Sequence, residues 1–221
     1  MLDGSLEQTV KIFFDVDGVL IDGWHAKPEL RRPWDASIEQ DLGIDANAFR
    51  EKFFGSAASN RAVIHACVRG ERDLKEALAV TLPTVGYAGS VDTFIRYWFE
   101  KDSHVNREVM EAVKRLARHD HLDLYLATGQ EHYRAAYLWD ELGFKDHFKD
   151  IFYSARLGHL KSAPEFFLEI NRVLRIGPDE RPLFFDDRED VAALARAAGW
   201  DACIFNTVDD LRNHPRLVNL L

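Results

Sequence analysis

The chain has 221 residues, 47% hydrophobic and 29% charged, enough to bury a core in one domain or in one domain carrying an insertion, which excludes a disordered segment. Its formal charge of -9, from 37 acidic against 28 basic residues, opposes non-specific binding to nucleic acid or anionic lipid, so neither is expected as a partner. The amino-terminal residues carry no basic region followed by an apolar run, and no stretch approaches the roughly 20 apolar residues of a membrane span, so a cytoplasmic protein is expected.

In chain order, residues 11–16 form a short apolar, β-prone run ending in Asp-Gly, the pattern of a buried parallel strand that enters a loop. Residues 23–104 then offer helical patterns without a convincing buried strand. The candidate helices are 37–42, 46–54 behind Asp45, 60–69, 71–82 stopped by Pro83, and 91–101 behind Ser90. This segment is read as an inserted α-helical cap, with residues 1–22 and 105–221 as the core. Cys67 and Cys203 lie far apart without a nearby Cys or His at metal-ligand spacing, and read as reduced packing residues.

Beyond residue 104 helix and strand alternate. Helices are expected at 107–118 after Asn106, at 131–142 ending in Gly143, at 165–174 before Gly177-Pro178, and at 190–198 ending in Gly199. Strands are expected at 122–127, 150–153, 182–185 and 202–205. The rhythm predicts an α/β fold, a doubly wound parallel sheet whose ligands bind outside the carboxyl ends of the strands where the winding reverses.

Four elements of this pattern carry chemistry. Asp15 and Asp17 follow the first strand, and two carboxylates so close repel unless a cation or proton lies between them; Mg2+, with its preference for hard oxygen ligands, fits. Gly18 would let the chain turn beneath a bound ligand. At the end of the second strand, Thr128 offers a hydroxyl and Gly129 an N–H for phosphate oxygens, although Thr128 also suits a helix cap. Lys161, ahead of a helix start at Pro164, could bring an ammonium to the same phosphate. The run Asp186-Asp187-Arg188-Glu189-Asp190 follows a buried strand, and its adjacent aspartates carry a repulsion that a metal would offset.

Taken in order, these motifs resemble those of the haloacid dehalogenase superfamily, in its helical-cap branch of phosphatases, and Ala198-Gly199-Trp200 fits the same branch. The sequence departs from the family at Lys161, which is followed by Ser162-Ala163 before Pro164 rather than directly by proline. The segments Ile151-Phe152-Tyr153-Ser154 and Phe184-Phe185-Asp186-Asp187 are similar in style to sugar-phosphate phosphatases, including glucose-1-phosphate phosphatases.

The resemblance implies a Mg2+-dependent phosphatase acting on a small-molecule phosphate ester. It makes Asp15 the nucleophile that forms an aspartyl-phosphate, and Asp17 the acid that protonates the leaving alcohol and then activates water. Mg2+ would be held by Asp15, the main-chain carbonyl of Asp17, and the pair Asp186 and Asp187, with Asp187 preferred. Thr128, Gly129 and Lys161 would take the phosphoryl oxygens, and Asp190 would orient the acidic cluster. Cap residues near Trp24, Lys27, Arg31, Arg32 and Trp34 would choose the substrate, gripping a sugar or a second anionic group. Three rival readings differ at definable points. A 2-haloacid dehalogenase needs neither metal nor an acid at position 17, a phosphomutase passes the phosphoryl group to another hydroxyl, and a silent interaction module would turn over nothing.

Overall fold

The structure is a computed structural model that describes residues 9–55 and 62–221. Five parallel strands form its sheet: β1 (Val10–Phe14), β2 (Leu122–Thr128), β3 (Asp150–Tyr153), β4 (Leu183–Asp186) and β5 (Asp201–Ile204), in the order β3-β2-β1-β4-β5. All five expected strands are present. β2 and β4 each run one residue further than expected, to Thr128 and Asp186, while β1 ends at Phe14 rather than at Val16.

The strands read as apolar runs because both faces of the sheet are covered. Successive β1 side chains point to opposite faces: Ile12 and Phe14 join Leu124, Leu126 and Phe185 on one side, and Phe13 joins Tyr125, Phe152, Phe184 and Trp200 on the other. From β1 the chain steps outward to β2 and β3, then returns to the other side of β1 for β4 and β5. The winding therefore reverses between β1 and β4, the place where such sheets open a crevice at their carboxyl edge.

The helices are α1 (Ile38–Leu42), α2 (Ala46–Phe49), α3 (Val63–Val68), α4 (Leu74–Thr81), α5 (Val91–Lys101), α6 (Arg107–Leu116), α7 (His132–Ala136), α8 (Ser154–Leu157), α9 (Pro164–Leu174), α10 (Glu189–Ala197) and α11 (Val208–Arg212). Two expected helices change character midway: α2 widens into a π-helix over Arg50–Phe54, and α7 into another over Tyr137–Glu141. α4 begins only after Asp73, whose side chain accepts the Glu76 N–H, so the start expected at 71 moves by a turn. α3 begins at Val63, and Asn60 and Arg61 of the expected 60–69 helix lie outside the described residues. α8 and α11 were not expected. α11 had a legible signal, a capping box between Thr207 and Asp210, but at five residues it carries too little periodicity to register as a helix.

The described part of the segment between β1 and α6 is helical and builds its own core from Ile38, Phe49, Phe53, Leu78, Phe94 and Trp98. The two chain crossings that connect it to the sheet pair with one another. Asp22 N–H donates to the His104 carbonyl at 2.8 Å, Asn106 N–H donates to the Leu20 carbonyl at 2.9 Å, and Ile21 bridges Val105 antiparallel. Arg134, buried on α7, ties the crossing down further. Its guanidinium donates to the carbonyls of Phe99 (3.1 Å) and Asp102 (2.5 Å) and to Ser103 Oγ (2.8 Å), satisfying groups at the carboxyl end of α5 that the helix itself leaves open.

Candidate active site

The loop after β1 brings Asp15 to the switch point, and β4 delivers Asp186 and Asp187 beside it. Each of the three carboxylates offers an oxygen within 4.8 Å of the others, and all three residues are buried. Lys161 Nζ lies 2.5 Å from Asp15 Oδ2 and 2.8 Å from Asp186 Oδ2, and is itself buried. Its position is set from the main chain, because Lys161 N–H donates to Ser154 Oγ at 3.0 Å. The insertion of Ser162-Ala163 before Pro164, the first residue of α9, thus leaves the ammonium on the acidic cluster.

Burial strongly perturbs these groups. Desolvation pushes the Asp15 carboxyl well above its ordinary range; Lys161 opposes the shift, and the nearby Asp186 and Asp17 carboxylates add to it. For Lys161 burial favours the neutral amine, but the Asp15 and Asp186 carboxylates outweigh it and hold the ammonium charged. Asp187 is raised by desolvation, with the Ala26 N–H pulling the other way.

The two members of the acidic pair are held differently. Asp186 Oδ2 takes Lys161 and its Oδ1 accepts the Arg188 N–H at 2.8 Å. Asp187 Oδ2 accepts the Ala26 N–H at 2.6 Å, while its Oδ1 is buried without a hydrogen-bond partner among the described residues. An orphaned buried carboxylate oxygen is costly unless a cation completes it. Gly18 makes room for this carboxylate: its φ is +82°, and a Cβ there would overlap Asp187 Oδ2. Three hard oxygen donors converging around one unpartnered oxygen fit Mg2+, the ion named from the sequence.

The Asp17 side chain stands apart from this cluster. Its Oδ2 accepts the Gln130 Nε2–H at 2.7 Å, and the same amide lies 3.4 Å from Thr128 Oγ1. Gln130 is buried and was missed by sequence reasoning; its position two residues beyond Thr128, at the carboxyl end of a strand, was the available signal. Thr128 is the last residue of β2 and fully buried, so it does not cap α7. Glu131 does that, accepting the N–H groups of Tyr133 and Arg134. Gly129 follows Thr128 at the same edge, close to the Lys161 Cβ.

Asp190, named from the sequence as orienting the acidic cluster, points away from it. It lies in the first turn of α10 with its side chain 62% exposed, bound to Arg188 at 2.5 Å and 3.0 Å. Helix geometry turns it away from the crevice while Asp186 and Asp187, at the strand end, face into it. Arg188 in turn reaches Trp24, over whose ring its guanidinium lies at 6.0 Å. Of the basic residues singled out in the insert, Lys27 donates to Asn206 Oδ1 at 2.7 Å, and Arg31 donates to the His25 carbonyl at 2.7 Å and covers the Trp24 ring at 4.7 Å.

An α/β protein that gathers buried carboxylates and a lysine at the carboxyl edge of a doubly wound sheet has the layout of an enzyme with an aspartate-centred site. The sequence matches the haloacid dehalogenase-like hydrolases over residues 12–199, and the chain belongs to that family of enzymes. A search of curated protein sequences found no match. Among solved structures the fold is similar to that of the haloacid dehalogenase family enzyme BT-2542 of Bacteroides thetaiotaomicron in complex with magnesium and inorganic phosphate, at 16% identity and a TM-score of 0.72, over 90% of this chain and 94% of that one. It is also similar to a predicted family hydrolase of Porphyromonas gingivalis (18% identity, TM-score 0.69, 96% and 98% covered). The L-2-haloacid dehalogenase of Xanthobacter autotrophicus shares the fold at 16% identity and a TM-score of 0.59, over 96% of this chain and 81% of that one. Among the described residues no helix is long and apolar enough to cross a membrane.

Proposed function

We propose that the protein is a Mg2+-dependent phosphatase that hydrolyses a small-molecule phosphate monoester through an aspartyl-phosphate on Asp15. The observation that carries this reading is the buried trio of Asp15, Asp186 and Asp187 with Asp187 Oδ1 left unpartnered, a site that asks for a hard cation beside a carboxylate nucleophile. The magnesium and phosphate bound to BT-2542, which has the same fold, support it.

Mg2+ held by Asp15, the Asp17 carbonyl, Asp186 and Asp187 would neutralise phosphoryl charge as it builds. In the first step an Asp15 carboxylate oxygen attacks phosphorus, the ester P–O bond breaks, and Asp17 gives a proton to the departing alkoxide. Asp17 then takes a proton from water, which attacks phosphorus and releases phosphate with Asp15 restored. Lys161, already paired with Asp15, opposes the upward push of burial on that carboxyl, and with Thr128 and Gly129 would bind the phosphoryl oxygens. The helical insert serves as the cap, its paired crossings at residues 20–22 and 104–106 acting as the hinge that admits substrate and excludes water. The core at 1–22 and 105–221 carries the chemistry and the insert chooses the alcohol. Sugar phosphates are the class that the sequence resemblance implies.

Asp15→Asn tests the proposal: Mg2+-dependent phosphate release should be lost with the circular dichroism spectrum unchanged, and turnover at the wild-type rate would refute the nucleophile. The similarity to a haloacid dehalogenase keeps a carbon-attacking reading in view, favoured by fold alone. Chloride release from a 2-chloroacid in excess EDTA would establish it. Conversion of a sugar phosphate to its isomer, rather than release of free phosphate, would identify a phosphomutase.

A further inference from the structure

The chain enters the insert through residues 23–32, a segment that binds back onto the core. Ala26 N–H donates to Asp187 Oδ2 at 2.6 Å, Lys27 Nζ donates to Asn206 Oδ1 at 2.7 Å, and the Trp24 ring lies 6.0 Å from the Arg188 guanidinium. Asp187 and Asn206 stand just beyond the carboxyl ends of β4 and β5, so the segment is laid across the edge of the sheet where the site lies. Of these three ties, the one made by Ala26 reaches a member of the buried acidic trio.

The local fold of the segment aims the Ala26 N–H at the carboxylate. His25 is buried, and its Nδ1 accepts the Lys27 N–H at 2.9 Å, a side-chain to main-chain bond two residues on that bends the backbone around Ala26. The same Nδ1 lies 3.4 Å from Asp187 Oδ2. A ring nitrogen whose lone pair is taken by Lys27 carries no proton to give, so the bond to Asp187 comes from Ala26 while His25 sets the turn. On the outer side, Arg31 Nε donates to the His25 carbonyl at 2.7 Å and Arg32 N–H to the Gly23 carbonyl at 2.9 Å, closing the segment on itself.

The two oxygens of Asp187 therefore differ: Oδ2 is held by Ala26, and Oδ1 is buried with no hydrogen-bond partner among the described residues. A carboxylate turns readily about its Cβ–Cγ bond, so a donor fixed on one oxygen decides where the other points, and an outer donor of this kind tunes how well a ligand holds its metal. Here that donor comes from the insert, 161 positions away in sequence. We infer that the first turn of the insert, residues 25–27, completes the metal site: the Ala26 N–H is a positioning group for Asp187, and docking of this turn on the core and Mg2+ binding favour one another. The inference rests on the Mg2+ reading of the acidic trio and extends that site from the core into the insert. Linkage makes the effect reciprocal, the metal stabilising the docked turn by the same factor that the turn strengthens the metal.

Two substitutions at His25 separate this role from simple packing. His25→Leu keeps the bulk and removes the acceptor, whereas His25→Asn gives up bulk and keeps an acceptor able to bond the main chain two residues on. Arg31→Met, at an exposed position, loosens the turn from outside without opening the core. In calorimetry on the full-length protein with Mg2+ alone, the dissociation constant should rise about tenfold in His25→Leu, rise also in Arg31→Met, and stay within about twofold of wild type in His25→Asn. Hydrogen exchange should show Mg2+ slowing the amides of residues 23–32 in the wild type and doing so less in His25→Leu. Wild-type Mg2+ affinity in both His25→Leu and Arg31→Met, a loss in His25→Asn equal to that in His25→Leu, or exchange in this segment unmoved by Mg2+ overturns the inference and leaves the metal site in the core standing. A folded wild-type protein that binds no Mg2+ removes the metal reading and the inference with it.

Discussion

Gln130 donates its side-chain N–H to Asp17 Oδ2 at 2.7 Å, so the carboxylate proposed to protonate the leaving group is held by the end of β2 rather than by its own loop. That bond fixes one of the two Asp17 oxygens. If that is its purpose, Gln130→Leu should lower kcat on alkyl phosphates by about 10–100-fold, within the range that general acid catalysis contributes. Acetyl phosphate, whose leaving group needs no proton, should lose far less. A uniform loss across both substrate types would mean that Gln130 merely supports the fold.

Lys161 is the counter-ion shared by two buried carboxylates, and removing one partner of a buried ion pair costs about 3–5 kcal/mol. Lys161→Met should destabilise the protein by that order in urea unfolding. Desolvation already raises the Asp15 pKa, and without Lys161 it rises further, so the folded state of the variant prefers protonated acid. Such a group stabilises below its unfolded pKa and loses that contribution as pH rises through the folded one. The deficit should be smaller at pH 5 than at pH 8, and a pH-independent deficit would contradict the pairing.

Gly18 adopts φ +82° directly against Asp187. In Gly18→Ala the backbone penalty alone is about 1–2 kcal/mol, and the new methyl must displace the carboxylate. Mg2+ affinity measured by calorimetry should fall at least about tenfold, the scale seen when a ligand's support is disturbed. Unchanged affinity would remove Asp187 from the metal site.

Burial lifts the Glu131 carboxyl to about 7, although its two helix-capping N–H contacts pull it down. The sign follows from linkage: the folded state binds the proton more tightly than the unfolded chain, so stability is greatest below about pH 4 for this group and declines as pH rises toward 7. The full effect is up to about 3 kcal/mol, at 1.36 kcal/mol per pKa unit. Glu131→Gln keeps an oxygen for the cap and should flatten this part of the stability profile. A profile identical to wild type between pH 4 and pH 7 would show that Glu131 stays ionised.

The sequence by itself determined the sheet and the identity of most site residues. Runs such as residues 12–14 and 124–127 are apolar throughout because both faces of a parallel strand are buried, and the polar residues that break off such runs, Asp15, Thr128 and Asp186, fall at strand ends for the same reason. Local chemistry marked Asn106, Ser90 and Asp45 as caps, and each accepts the expected helix N–H.

Tertiary structure alone decided how those residues meet. Asp190 and Asp187 are three positions apart, yet the strand end points one into the crevice and the helix turns the other to solvent and Arg188. Gln130 looked like a loop residue until the parallel pairing of β1 with β2 set it across from Asp17. The orphaned Asp187 oxygen, the Lys161 bridge and the Ala26 bond to Asp187 join residues more than a hundred positions apart or from separate helices and loops, and no local pattern records such distances. Strand and helix propensities are short-range, whereas the charge balance of a buried site is set by whichever groups the topology packs together.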